Sequence, residues 1–302
     1  MAKPFTILVT GANGQVGSEL TELARQQDKK VIATARNELD ITSQQQVDEY
    51  FSLIKPDLVI NAAAYTAVDR AEEEPELAYA INQMGTACLA RACKKQAVPL
   101  FHISTDYVFD GRQSTPYRET DLPAPLSVYG KSKLAGEKEI QGILEQYIIL
   151  RVAWVFGKNG NNFVKTMLRL ARERDSLNIV NDQFGGPTAA RDIAETLLHL
   201  GDLYQQEQLS EWGIYHYCGH PITSWYDFAK KILQTAYKLG YIKNEIAINP
   251  ITTEEYPTTA QRPQNSAFNC EKIRNSFKID TPDWQNSLLN VLNELKSSNN
   301  EQ

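Results

Sequence analysis

The sequence predicts an α/β protein: a doubly wound parallel sheet followed by a smaller, less regular C-terminal domain. Three observations lead there. Apolar runs of strand length alternate with longer segments of helical spacing, which is the rhythm of right-handed βαβ units. The runs are almost wholly apolar rather than alternating, as strands are when helices cover both faces of their sheet. After Val152 the rhythm loosens.

In chain order, residues 5–10 form a β-rich run ended by Gly11-Ala12-Asn13-Gly14, and residues 15–27 carry helical spacing. Strands are expected at 30–34 and 57–61, with a helix at 44–54 between them. Residues 75–95 form an Ala-rich helix whose Pro75 suits the first turn. The acidic run Glu72-Glu73-Glu74-Pro75-Glu76 reads as a solvated helix start that the helix dipole favours. A fourth strand follows at 98–103, a helix at 129–146 and a strand at 147–152. Beyond these, strands are expected at 178–180 and 214–217 with a helix at 191–203 between them. Further helices lie at 227–239 and 284–296, separated by Pro- and Thr-rich irregular chain at 249–265.

The length of 302 residues suits two domains. We place the first at 1–156, with 186–218 returning to it, and a substrate-binding domain at 157–185 and 219–302. Apolar residues at 42% and charged ones at 23% exclude a disordered or fibrous chain. A net charge of −6 leaves no basic field to hold nucleic acid by its phosphates. No apolar run reaches the roughly 18 residues of a membrane-spanning helix. The opening Met1-Ala2-Lys3-Pro4-Phe5 carries no signal-peptide core, so a cytoplasmic protein is expected. Cys88, Cys93, Cys218 and Cys270 then read as reduced, buried thiols. Alternation puts His216, Cys218 and His220 on one strand face, but their spacing fits no zinc pattern, and no metal is expected.

The chemistry begins at Gly11-x-x-Gly14-x-x-Gly17, which follows the first strand and opens the first helix. Glycines let the backbone approach a pyrophosphate, and the helix amides favour its charge. One extra residue separates the first two glycines relative to G-x-G-x-x-G, yet the position at the first βα junction marks a Rossmann-like dinucleotide site. Gly11, Asn13, Gly14, Gln15, Val16 and Gly17 are its candidate residues. The end of the second strand reads Thr34-Ala35-Arg36-Asn37, with no carboxylate there to grip a ribose 2′-hydroxyl. Arg36 suits a 2′-phosphate, so NADPH is expected, with NADH as the alternative and a solvated Arg36 as the plainer reading. Asp40 and Ile41 border the adenine, and Ala62, Ala63, Ala64 and Tyr65 after the third strand let a cofactor lie against the backbone.

Tyr129 and Lys133 stand four residues apart on one helix face. An ammonium about 5 Å from a phenol favours the phenolate by roughly 3 kcal/mol at an effective dielectric of about 20. The expectation is therefore a Tyr129 pKa lowered by about two units, toward the range of efficient acid–base work. Thr105, after the fourth strand, is placed to hydrogen-bond a carbonyl oxygen while Tyr129 delivers the proton.

On these stretches, together with Asn61-Ala62-Ala63-Ala64-Tyr65-Thr66-Ala67-Val68-Asp69, Ser104-Thr105-Asp106-Tyr107-Val108-Phe109, Asp182-Gln183-Phe184-Gly185-Gly186-Pro187-Thr188 and Arg262-Pro263-x-x-Ser266, the chain resembles the extended short-chain dehydrogenase/reductase superfamily. Within it, the resemblance is to the branch that reduces the 4-keto group of dTDP-linked 6-deoxy sugars, giving dTDP-rhamnose. It implies Thr105, Tyr129 and Lys133 as catalytic hydroxyl, acid and lysine, with Tyr129 and Lys133 also meeting the cofactor. It further implies that Thr105, Asp106, Tyr107 and Trp154 line the sugar site and that Arg262 meets the nucleotide diphosphate. Without it, Trp154 reads as core packing and Arg262 as a surface charge.

Some members of that branch hold magnesium at a dimer contact through acidic side chains. Glu19 could serve, but Arg191 stands where another acid is expected, so no such metal is predicted and the chain is read as a monomer or weak homodimer. A 4,6-dehydratase is disfavoured because Tyr107 replaces the glutamate that pairs with the aspartate in Thr-Asp-Glu. A ketoreductase for another nucleotide sugar and a non-catalytic NADP-binding subunit stay open.

Overall fold

The computed structural model describes residues 4–209 and 211–300. Residues 1–3 and 301–302, which open and close the expected domain spans, lie outside the described residues. The α/β class and the parallel sheet are as the sequence predicts. Strand β1 (Thr6–Thr10) leads to α1 (Gln15–Gln26), β2 (Lys30–Thr34), α2 (Gln44–Ile54) and β3 (Leu58–Asn61). Next come the short α3 (Val68–Ala71), α4 (Pro75–Tyr79), α5 (Thr86–Gln96), β4 (Leu100–Thr105), α6 (Val128–Ile143) and β5 (Tyr147–Val152). The remainder holds β6 (Val155–Phe156), α7 (Phe163–Glu173), β7 (Ser176–Val180), β8 (Phe184–Gly185), β9 (Thr188–Ala189), α8 (Ala190–Gln205) and β10 (Gly213–Tyr217). It ends with β11 (Thr223–Ser224), α9 (Trp225–Lys238), β12 (Ala247–Ile251), β13 (Asn265–Ser266), α10 (Glu271–Phe277) and α11 (Trp284–Asn300).

Six parallel strands form the main sheet in the order β10-β5-β4-β3-β1-β2. The order reverses between β1 and β3, and the crevice beyond their carboxyl ends is where such sheets bind ligands. Successive residues of β1 point to opposite faces. Val9 packs with Leu20, Ile60, Phe101 and Leu197 on one face, while Leu8 packs with Phe51, Val59, Leu89 and Ile140 on the other. A separate core joins α7, β7, α9 and α11 through Leu168, Ile179, Ile232 and Leu288. There β7 pairs in parallel with β12 as a second, two-stranded sheet. Among the described residues, no helix is long and apolar enough to cross a membrane.

Local sequence explains the helix starts. The side chains of Ser43, Ser127, Asn162 and Ser224 accept backbone N–H bonds as N-caps of α2, α6, α7 and α9. Two departures matter for the site. The expected helix at 75–95 is interrupted by a π-helical turn at Ala80–Gly85, where Asn82 turns its amide toward Tyr65 and Ser132 instead of running on as uniform helix. The fourth strand starts two residues later than expected, because Val98 N–H closes the end of α5 on Cys93 O and Pro99 has no N–H to donate. It runs on to Thr105, at the carboxyl end of the sheet. The loosened rhythm after Val152 conceals α7, which the sequence reading did not assign.

Candidate active site

The first βα junction shows why its glycines are glycines. Gly11 has φ +73°, and a Cβ there would lie 2.5 Å from Ala63 N, so the loop after β1 presses on the loop after β3. A Cβ on Gly17 would lie 2.1 Å from Gly11 O, so α1 starts directly beneath the loop. No side chain caps α1. The N–H groups of Gln15, Val16 and Gly17 form its first turn, where a helix has no carbonyls of its own to offer them. A cleft of about 850 Å³ opens above, lined by Gly11, Asn13, Gly14, Arg36, Asp40, Ile41, Ala62, Ala63, Ala64 and Tyr65. An uncapped helix start beside a glycine-tight loop fits a pyrophosphate, and the cleft fits the rest of a dinucleotide.

Not every candidate lines that cleft. The Gln15 side chain turns away and accepts from Asn162 Nδ2 at 3.0 Å, Val16 is in the core and Gly17 backs the loop, so these three offer backbone amides only. Asp40 is on the wall, but its Oδ1 accepts from Thr42 N–H at 3.0 Å and from Thr42 Oγ1 at 2.8 Å. Those bonds hold its carboxyl below the usual range and commit it to a local turn. Arg36 is exposed at the rim. The Tyr65 loop is tied down by Asn82, whose Oδ1 accepts from Tyr65 N–H at 2.8 Å and whose Nδ2 donates to Ser132 Oγ on α6 at 3.0 Å.

The predicted catalytic residues converge. Thr105 closes β4, Tyr129 in the first turn of α6 shares a hydrogen bond with it, and Lys133 one turn on reaches the Ile103 carbonyl of the same strand at 2.7 Å. Tyr129 packs with Tyr65, which lines the first cleft, and meets Tyr107 edge-on at 5.4 Å. Tyr107 lines a second cleft of about 660 Å³ with Phe163, Trp225, Tyr256 and Arg262. Tyr129 itself is buried, keeping 9% of its surface exposed, while its neighbours Tyr65 and Tyr107 line the first and the second cleft.

The expected electrostatics are corrected. Tyr129 is not made more acidic by Lys133. Burial pushes the phenol up to about 12, with a hydrogen bond to Thr105 only partly opposing it. Lys133 is 2% exposed, and burial draws it down to about 8, with Glu137 pulling the other way. The sequence estimate assumed a charged lysine in a medium of high dielectric, whereas both groups are in a dry interior where the neutral forms are favoured.

Thr105 is also more committed than expected. Its hydroxyl donates to Asp106 Oδ1 at 2.9 Å and accepts from Tyr107 N–H at 3.2 Å. Asp106 is 3% exposed, and its Oδ2 has no hydrogen-bond partner among the described residues. Burial raises its carboxyl to about 6, against the pull of the Ser266 and Thr105 hydroxyls.

Two expected substrate contacts are placed differently. Trp154, with φ +48°, stacks on Trp225 at 3.5 Å between ring centroids, and it is Trp225 that lines the cleft. Arg262 lines the cleft, but Asp69 holds it in a two-pronged pair at 2.6 and 3.0 Å. The sequence reading missed Trp225, Phe163, Tyr256 and the Asp69 partner. Asp69 could have been found, since it closes the quoted stretch after β3, but the aromatics come from elements remote in sequence.

The acidic cluster near Glu19 carries its own cation: Lys158 lies 2.8 Å from Glu22 and 3.3 Å from Glu294, beside Glu19. Arg191 pairs with Glu195. That arrangement does not fit a divalent metal. His216 is occupied structurally, its Nδ1 lying 3.0 Å from Tyr117 O.

Comparison with known proteins decides the family. A family model described as the RmlD substrate binding domain matches residues 5–297. A dTDP-4-dehydrorhamnose reductase of Aggregatibacter actinomycetemcomitans is 46% identical over 94% of this chain and 97% of its own length. The chain belongs to the dTDP-4-dehydrorhamnose reductase family. Solved structures of this family superpose closely. The reductase of Clostridium acetobutylicum gives a TM-score of 0.89 at 40% identity, covering 96% of this chain and 99% of its own. That of Bacillus anthracis, crystallised in complex with NADP, gives 0.88 at 36%, covering 97% and 100%.

Proposed function

We propose that the chain reduces the 4-keto group of dTDP-4-dehydrorhamnose to give dTDP-rhamnose, with NADPH as the reductant. Beside family membership, one observation carries the reading: a buried, protonated phenol, Tyr129, has as neighbours Tyr65 of a dinucleotide-shaped cleft and Tyr107 of an aromatic cleft with an arginine at its wall. The dihydronicotinamide, when bound, supplies the hydride. Gly11, Asn13, Gly14 and the first-turn amides of α1 hold the pyrophosphate, Arg36 the 2′-phosphate, and Ala62, Ala63 and Ala64 give the cofactor a flat wall. Tyr129 donates the proton to the C4 oxygen, and Thr105 donates a hydrogen bond to it as charge develops. Trp225 and Phe163 supply an apolar surface for the sugar or base, and Arg262, steadied by Asp69, meets the diphosphate. Fixing the nucleotide at a distance sets the pose of the reacting carbonyl. We place the reaction in the cytoplasm and read the protein as a monomer or weak homodimer.

The test is loss of NADPH absorbance when the purified chain meets dTDP-4-dehydrorhamnose. Turnover with only another 4-keto sugar nucleotide would reassign the substrate. No turnover with any would favour a non-catalytic binding subunit. Replacing Arg36 by alanine is expected to lower kcat/KM for NADPH on the order of 10–100-fold, as loss of a hydrogen bond to a charged group does, with little change for NADH. Equal effects on both cofactors would remove Arg36 from the 2′-phosphate.

Asp106 predicts a pH dependence. Above about 6 its carboxylate accepts the Thr105 O–H as a hydrogen bond, whereas below that pH the protonated acid holds it more weakly and leaves Thr105 freer to donate to substrate. The sign is therefore a fall in kcat as pH rises through this range, of about 2–10-fold for one neutral hydrogen bond. Asp106→Asn is expected to flatten that step, and a profile unchanged by the substitution would sink this account.

A further inference from the structure

The short helix α3 and the segment before β13 meet at one ion pair. Asp69 of α3 has a half-exposed side chain, and its Oδ1 accepts from Ala260 N–H at 3.1 Å. The same oxygen accepts from Arg262 Nη1 at 3.0 Å, and Oδ2 accepts from Arg262 Nη2 at 2.6 Å. Arg262 Nη1 also donates to Ala260 O at 3.1 Å. One carboxylate thus grips both the backbone and a side chain of the segment whose Tyr256, Thr258 and Arg262 wall the second cleft.

The donors of the guanidinium show which part of it is left. Its N–H groups lie in a rigid planar fork. Asp69 takes the pair at the tip, one from Nη1 and one from Nη2, and Ala260 O takes the second of Nη1. Nε–H and the second Nη2–H remain, and neither has an acceptor among the described residues. Those two run parallel along one edge, the arrangement that holds two oxygens of a phosphate. Arg262 is half-buried and close to Tyr107, which lines the same cleft. The hydrogen bonds from Arg262 and Ala260 keep the Asp69 carboxyl below the usual carboxylate range, so the clamp is charged at neutral pH.

We infer that Asp69 is a positioning residue for Arg262: it occupies the tip of the guanidinium and leaves the Nε–Nη2 edge as the seat of the nucleotide diphosphate. The inference deepens the proposed dTDP-sugar reading and rests on it. A carboxylate close to an anion site works against binding by charge alone, so an Asp69 that is only a counter-charge, or that the diphosphate displaces, would weaken the anion's hold. Removing its charge would then tighten binding. A positioning carboxylate has the opposite effect, because a guanidinium cut loose must be ordered again each time the diphosphate arrives. The two roles differ in sign.

The probe is dTDP alone, titrated into the full chain by calorimetry. Asp69→Asn keeps the shape of the side chain but removes its charge and the Nη2 bond. It is expected to weaken dTDP binding about 10-fold, the effect of losing one hydrogen bond to a charged group. Arg262→Lys keeps the cation but has no paired edge, and should weaken binding at least as much. In the Arg262→Lys background Asp69→Asn should bring no further weakening, because its effect passes through the arginine. Tighter or unchanged binding in Asp69→Asn, or losses that multiply, would overturn the inference. In the unsubstituted chain the Arg262 Nε–H NMR signal, identified by its loss in Arg262→Lys, is expected to move downfield as dTDP is added. A signal unmoved at saturation would overturn the inference even where the Asp69 variant does not fold. A wild-type chain that binds no dTDP would overturn the inference and the substrate reading together, whereas the expected pattern in a chain without turnover counts against the reductase reading alone.

Discussion

Replacing Tyr129 by phenylalanine is expected to lower kcat by about 10²–10⁴-fold, the span over which a positioned proton donor contributes. KM and NADPH affinity should hold, because the ring keeps its packing against Tyr65 and Tyr107 and loses only the hydroxyl. Burial that lifts the phenol to about 12 has a defined consequence for pH. Tyr129 stays protonated throughout the neutral range, so it imposes no alkaline loss of kcat below about pH 10, where even an unperturbed phenol begins to ionise. Steady-state kinetics, with thermal denaturation to verify the fold, measure both. A Tyr129→Phe protein that keeps more than a tenth of the wild-type kcat would remove the phenol from the mechanism. The proton would then have to come from elsewhere in the site.

The largest stability effect is expected at Glu137. Its carboxylate accepts from Arg151 Nε at 2.9 Å and Arg151 Nη2 at 2.6 Å, and also from the Ser104 hydroxyl, all in the interior. Arg151 is 1% exposed, with its guanidinium 5.1 Å from the centre of the Phe109 ring. Glu137→Ala strands that cation, which costs about 3–5 kcal/mol for a broken buried pair. For a chain of this size the loss lowers Tm by on the order of 10 °C. Replacing both partners by methionine removes the stranded charge and is expected to recover most of the loss. Denaturant melts of the two variants and the wild type test this, and a Glu137→Ala loss below about 1 kcal/mol would show that Arg151 finds water or another acceptor. The pair joins α6 to β5 while Ser104 joins it to β4, so the same substitution should also loosen Tyr129 and Lys133 against Thr105.

Much of the site was legible because its parts are local. A glycine loop between a strand and a helix, a Tyr and Lys four apart on one helix, and a hydroxyl at a strand end are short-range patterns with short-range physical reasons. The edge of β4 was misplaced by two residues because apolar Val98 reads as strand, although its N–H is taken by α5. Helix α7 went unassigned because an amphipathic segment after irregular chain has no neighbouring βα rhythm to announce it. Trp225 was invisible as a site residue: nothing in its own stretch says that it will cover Trp154.

By itself, the order of residues determined the sheet, the glycine loop between β1 and α1, and the placing of Thr105 at a strand end with Tyr129 and Lys133 one turn apart on α6, since periodicity and backbone sterics act over a few residues. Only the tertiary structure decided the burial that shifts Tyr129 up and Lys133 down, the partner of Arg262 and the aromatic wall of the second cleft. Burial and hydrogen-bond direction arise where strands and helices distant in sequence meet, as where Lys133 of α6 reaches His102 and the Ile103 carbonyl of β4.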